Sequence, residues 1–348
     1  MKKLLTTSVL AAATFGVAAT AQAESLTVLS WGGAYASSQR EAYYKPYTAA
    51  TGTQIVEDEF NGELAKIKAQ VEAGNVTIDV ADLESATALQ GCDEGVLEVI
   101  DWSRIPNADD FIPGSKLECG VGTITWATIV AYNTTAFSGD QPSTMADFFD
   151  LDKFPGKRGV RKSPKVMLEF ALIADGVPAA DVYDVMDTEE GIDRAFAKLD
   201  TIKDSIVWWE SGSQPPQLLA DGEVTMSAAW NGRIQSAIDG ENQPFKIIWD
   251  GQNLDFDMWV IPKGTPNLDK AYDFLKFASA AKQMGTQHTY IGYGPVTNEA
   301  GTMIVDDKLA EKLPSAPVNL GNWVPHNLDY WADNFDDLNE RFLAWVSQ

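Results

Sequence analysis

The chain is expected to fold as an α/β protein of two lobes with a hinge made of strands and a cleft between the lobes. Three observations lead there. Short β-prone runs alternate with amphipathic helical stretches, the rhythm of a parallel sheet. The chain is long for one hydrophobic core. The sequence crosses from one half to the other and back without a Gly/Ser linker or any other low-complexity tract.

Lys2 and Lys3 precede an apolar stretch from Leu4 to Ala19, and Ala21-Gln22-Ala23 is a small-x-small cleavage signal. Residues 1–23 are therefore read as a secretory signal peptide, too short for a membrane anchor. The mature protein is expected in the periplasm, as a soluble monomer. Cys92 and Cys119 are the two cysteines of the chain, and in an exported protein such a pair reads as a disulfide.

The elements follow in order. Leu26–Ser30 is a strand ended by Trp31-Gly32-Gly33, and a helix from about Ser37 to Thr51 stops at Gly52. Gln54–Glu57 is a strand, 62–73 a helix, Ile78–Leu83 a strand and Ser85–Glu94 a helix ended by Gly95. Thr123–Tyr132 is the apolar strand that leaves the first lobe. In the second lobe Thr144 is a helix N-cap, and Gly159–Arg161, Ser205–Trp209, Val224–Ala229 and Lys246–Trp249 are strands. Helices lie between them at 166–175, 179–186, 189–200, 213–221 and 232–239. Phe256–Ile261 is a separate strand crossing back. Helical pattern covers 269–281, continues over 280–289 and returns at about Leu328–Trp345. This gives lobe 1 as 24–132 plus 260–310 and lobe 2 as 133–259, with 311–348 packing on the lobes.

Function classes narrow quickly. The formal charge of −24 disfavours nucleic acid and anionic surfaces and favours cationic partners, although solubility alone accounts for much of it. No nucleophile elbow, P-loop, zinc-protease motif or dinucleotide fingerprint is present. The sequence thus offers no catalytic residues and no cofactor. His288 and His326 are isolated from any ligand cluster, so no metal site is expected.

Ligands of α/β sheets sit beyond the carboxyl ends of the strands. Trp31, Glu84, Ser163, Trp230 and Asp257 fall there, and Trp126 and Tyr293 are placed at strand ends as well. Gly32 and Gly33 beside Trp31, and Gly232 after Trp230, allow close backbone approach. Aromatic faces beside a carboxylate bind ammonium groups, best when water is excluded. Asp257, between Phe256 and Met258 in an apolar strand, supplies the carboxylate. A buried Asp needs a partner: a ligand ammonium, or a local salt bridge.

These stretches resemble the spermidine/putrescine-binding proteins of ABC importers over the whole mature length. The resemblance rests on Leu29-Ser30-Trp31 with Tyr35, Ile78-Asp79-Val80-Ala81-Asp82, Pro155-Gly156-Lys157-Arg158-Gly159, Trp230-Asn231-Gly232, Phe256-Asp257 leading to Ile261-Pro262, and Ile291-Gly292-Tyr293. It implies a type II periplasmic binding protein fold, a ligand between the lobes, an ABC permease as partner, and ligand contacts from Trp31, Tyr35, Trp230, Asp257 and Tyr293. The departures from that family bear on the ligand. Where polyamine binders place acids, this chain reads Arg161-Lys162-Ser163-Pro164-Lys165-Val166, and the position of a binding Trp is Asp255. Arg233 follows Trp230-Asn231-Gly232 and is suited to hold a carboxylate by two hydrogen bonds; alternatively it is an exposed helix residue pairing with Asp239 or Glu241. Asp257 at one end and Arg233 or Ser163 at the other suit a zwitterion such as γ-aminobutyrate, whereas Glu84 and Ser85 would restore a second anionic contact for a polyamine. A carbohydrate-active enzyme with two acids and Trp platforms is the competing class, and an adhesive exported domain a third.

Overall fold

The computed structural model describes residues 24–348, and the signal-peptide reading lies outside them. One mixed sheet organises the molecule. Its strands are β1 (Ser25–Ser30), β2 (Gln54–Glu59), β3 (Val80–Glu84), β4 (Val121–Asn133), β5 (Arg158–Arg161), β6 (Ile206–Trp209), β7 (Met226–Trp230), β8 (Phe245–Val260) and β9 (Trp323–Pro325). The order is β2-β1-β3-β8-β4-β7-β5-β6, with β9 beside β8. β1 pairs in parallel with β2 and β3, and β5 in parallel with β6 and β7. Between these two parallel halves stands an antiparallel ribbon of β4 and β8, joined antiparallel to β3 on one side and β7 on the other. The fold is that of a two-lobed α/β protein whose halves share two long strands.

The ribbon corrects one expectation. Lys246–Trp249 and Phe256–Ile261 are not separate strands but parts of the single strand Phe245–Val260. The intervening Asp250–Asp255 stretch is polar, and it stays in the sheet because it pairs with β4 and β9. Its pairing is irregular, with a register shift between Thr128 and Val130 of β4, and Gly251 takes φ 74°, a left-handed conformation that glycine tolerates. Trp126, placed by the sequence at a strand end, lies inside β4.

Each half has its own core. Leu26, Val28, Tyr43, Val80, Trp259 and Phe274 pack on the first. Met145, Phe148, Leu168, Phe170 and Phe196 form the second. The helix Leu328–Val346 inserts Phe342 and Trp345 into that second core. Helix starts follow capping chemistry: Thr144 and Asp147 form a reciprocal capping box at Met145–Phe149. The long first helix runs as Gly33–Gln39, a π-turn at Arg40–Tyr44 and Lys45–Thr51, and Gly52 closes it in the left-handed conformation. Cys92 and Cys119 are joined by a disulfide, Cα–Cα 5.6 Å.

Candidate ligand-binding site

Seven residues from five segments surround one very small cavity of about 10 Å³: Trp31, Tyr35, Trp126, Trp230, Arg233, Asp257 and Tyr293. The chain brings them together through its strand ends. β1 stops at Ser30, and Gly32 and Gly33, both at positive φ, turn the backbone so that Trp31 and Tyr35 face the centre of the molecule. A Cβ on Gly33 would stand 2.9 Å from Nη1 of Arg233, so only glycine leaves room there for the guanidinium. β7 delivers Trp230, and Arg233 lies in the first turn of the helix Asn231–Glu241. Tyr293 packs against the bare Cα of Gly232, where a Cβ would meet its ring at 2.5 Å.

The rings pack in two groups, the three indoles and the two phenols. Trp31 meets Trp230 edge-to-face with centroids 5.4 Å apart, Trp126 meets Trp230 at 6.0 Å, and Tyr35 meets Tyr293 at 5.4 Å. All seven lining side chains are buried. Four polar atoms of this group have no hydrogen-bond partner: Oδ1 of Asp257, Nε of Arg233, and the indole nitrogens of Trp126 and Trp230. One acceptor and three donors are thus left over in a dry aromatic enclosure, where an unmet polar group costs about 1–3 kcal/mol.

Arg233 is not an exposed helix residue. It is 3% exposed, and its Nη1 and Nη2 donate to the main-chain oxygens of Gly32 (2.7 Å) and Trp31 (3.3 Å). Asp239, the alternative partner, accepts instead from Lys312 and Gln235. Nor does Asp257 pair with a base. Its partner is Asp82, a residue that the sequence reading passed over. Asp82 accepts from Tyr35 Oη (2.8 Å), Gln39 Nε2 (2.7 Å) and Trp31 Nε1 (3.4 Å). Burial, followed by the charge of Asp82, pushes the Asp257 carboxyl well above the usual range. Burial raises Asp82 as well, to about 7, against the lowering effect of its hydrogen-bond donors. The pair therefore carries a proton near neutral pH. Burial also raises the Tyr35 and Tyr293 phenols, which stay neutral.

The remaining sequence candidates lie elsewhere. Glu84 stands opposite Asp257 in the β3–β8 register, but its carboxylate binds Arg161 Nη1 at 2.7 Å and Lys165 Nζ at 3.3 Å. Burial alone would raise Glu84; Arg161 and then Lys165 outweigh it and hold the group down at about 2. Ser85 donates to Asp255 Oδ1 at 2.5 Å. Ser163 is buried beside an adjoining cleft with Arg161, Lys165 and Glu84. The second anionic contact that Glu84 and Ser85 were expected to restore is thus already consumed by protein cations and by Asp255. Asp82 and Glu84 are both acids of the strand Val80–Glu84, and the sequence pattern does not tell them apart.

Comparison with known proteins agrees with this architecture. Residues 42–316 match the model of the bacterial extracellular solute-binding protein family. A γ-aminobutyric acid-binding protein of Pseudomonas aeruginosa is 46% identical over 335 residues, spanning 96% of this chain and 94% of the relative. Among solved structures, the binding protein MotA of A. tumefaciens B6, in complex with glucopine, superposes with a TM-score of 0.88 at 33% identity, covering 92% of this chain and 99% of that one. A GABA receptor superposes with a TM-score of 0.81 at 35% identity, covering 93% and 98%. The chain belongs to the bacterial extracellular solute-binding family and is a binding protein, not an enzyme.

Proposed function

We propose that this protein captures a small ω-amino acid, γ-aminobutyrate, by closing its two lobes in the periplasm and then presents it to an ABC permease. The observation that carries the reading is the complementary pair of unmet groups in one aromatic enclosure: an acceptor on Asp257 and a donor on Arg233. A ligand with one ammonium and one carboxylate matches both. The ammonium lies against Asp257 and the ring faces, where cation–π attraction adds to the ion pair. The carboxylate takes donors from Arg233 and the indoles.

The hinge reading rests on the ribbon of β4 and β8, which both halves share. Arg233 comes from one side of it, Trp31 and Tyr35 from the other, and Asp257 from β8 of the ribbon itself. A ligand that bonds both sides favours the closed form by its differential affinity. The γ-aminobutyrate-binding relatives support the ligand class. Delivery to a permease follows from membership of the family.

Titration calorimetry with γ-aminobutyrate, putrescine, spermidine and a betaine tests the proposal. Tight binding of γ-aminobutyrate with weak or absent binding of the diamines is the expected result. Tight binding of a sugar or an inorganic anion in their place would overturn it.

A further inference from the structure

Four buried acids cluster where β3 and β8 run side by side: Asp82, Glu84, Asp255 and Asp257. Three of them are held by hydrogen bonds or ion pairs, whereas Oδ1 of Asp257 has no partner. Asp82 is held by Tyr35, Gln39 and Trp31, and Asp255 by Ser85 and the main-chain NH of Phe256. Glu84 is matched by Arg161 and Lys165. The Arg161 guanidinium does more than pair with Glu84. Its central carbon lies 5.2 Å from the centroid of the Trp230 ring and 6.0 Å from that of Trp31, the two indoles that wall the ligand cavity. A cation bonded to a carboxylate while lying over two indole faces is the arrangement expected for a bound ammonium.

We infer that Arg161, backed by Lys165, is a built-in cation that occupies the place a second ligand ammonium would take, and so restricts this site to ligands with a single positive charge. This inference deepens the ω-amino acid reading and rests on its placement of the ligand between Asp257 and Arg233. Glu84 and Asp257 are direct cross-strand neighbours, and the two carboxyls would together suit a diamine. With Glu84 already neutralised from within, a second ammonium would enter a place holding two fixed cations, and like charges brought together in a dry site exclude the wrong partner. Specificity against diamines is then located in Arg161 and Lys165, which do not line the cavity.

The test compares affinities for putrescine and γ-aminobutyrate by calorimetry in the wild type, in Arg161→Ala/Lys165→Ala, and in Glu84→Gln/Arg161→Met/Lys165→Met. The double variant frees Glu84, and the ratio of putrescine to γ-aminobutyrate affinity is expected to rise at least about ten-fold. The triple variant removes the anion as well as the cations, and its ratio is expected to stay near that of the wild type. If the double variant does not fold, as judged by its melting transition, Arg161→Gln/Lys165→Gln is read in the same way. No rise in the ratio, or an equal rise in the triple variant, overturns the inference. Failure of the wild type to bind γ-aminobutyrate would sink the ligand reading instead, while a diamine gain in the double variant would still support the role of Arg161.

Discussion

Nη1 of Arg233 donates to the main-chain oxygen of Gly32 at 2.7 Å, tying the helix after β7 to the turn after β1 across the central ribbon. One side chain therefore has two tasks, closing the halves on each other and presenting an unmet Nε to the cavity. Arg233→Ala should weaken γ-aminobutyrate by about 2 kcal/mol or more, roughly thirty-fold, because a buried charge-assisted contact and the cross-ribbon bond are lost together. Arg233→Lys should recover little, since a lysine offers no planar fork. Calorimetric affinities of the two variants decide the matter; unchanged affinity in Arg233→Ala would place the ligand carboxylate elsewhere.

Asp257→Asn keeps the shape of the pocket and removes its anion. The expected loss is again at least about 2 kcal/mol, now for every ligand bearing an ammonium. The same substitution should not lower the melting temperature of the free protein, because it relieves an acid whose ionised form burial and Asp82 disfavour. Affinity and melting temperature are thus expected to respond differently, and equal losses in both would indicate a structural role only.

The raised Asp82–Asp257 pair gives the binding a definite pH dependence. Near neutral pH the pair holds a proton, and an arriving ammonium favours the ionised carboxylate and drives that proton off. Affinity for γ-aminobutyrate should therefore increase as pH rises through neutrality and decline on acidification. Titrations in buffers of different ionisation enthalpy should count a release of up to about one proton per ligand at pH 6.5. Asp257→Asn should abolish that release.

How much of this was legible in the sequence depends on how local the cause is. Strand–helix alternation and the glycine stops at Gly52 and Gly95 lie within a few residues of what they determine, and the two parallel halves follow from them. The continuous β8 does not. Gln252, Asn253 and Asp255 interrupt the apolar pattern between the two expected strands, yet Gln252 Nε2 donates to the main-chain oxygens of Pro314 and Asn319, Asn253 Oδ1 pairs with His326, and Asp255 with Ser85. Those partners are 60 or more residues away in sequence, beyond any local pattern. The same applies to the acids. Asp82 and Glu84 share a strand and look alike in sequence, and what separates them is Arg161 and Lys165, 77 and 81 residues further on. Trp31 and Trp230 were easier, because Gly32 and Gly33 follow the first and Gly232 the second, and these open the backbone where the rings converge.

The Glu84 ion pairs with Arg161 and Lys165 join β3 to the end of β5 and the segment after it, from opposite sides of the ribbon. Glu84→Gln leaves two buried cations without their counter-charge in the closed form, a loss of several kcal/mol when one partner of a buried pair is removed. The variant should populate the open form more than the wild type at the same ligand concentration. Small-angle scattering with saturating and sub-saturating γ-aminobutyrate should show a larger radius of gyration at sub-saturation and faster ligand release; identical scattering would mean that these pairs do not hold the halves together.

Everything proposed for the ligand turns on its orientation, and a crystal structure of the protein with γ-aminobutyrate reads that directly. The ammonium is expected within hydrogen-bonding distance of Asp257 Oδ1, enclosed by Trp31, Tyr35, Trp230 and Tyr293, with the carboxylate toward Arg233. A ligand seated with its carboxylate toward Asp257, or lodged in the neighbouring cleft beside Lys165 and Ser163, would contradict it.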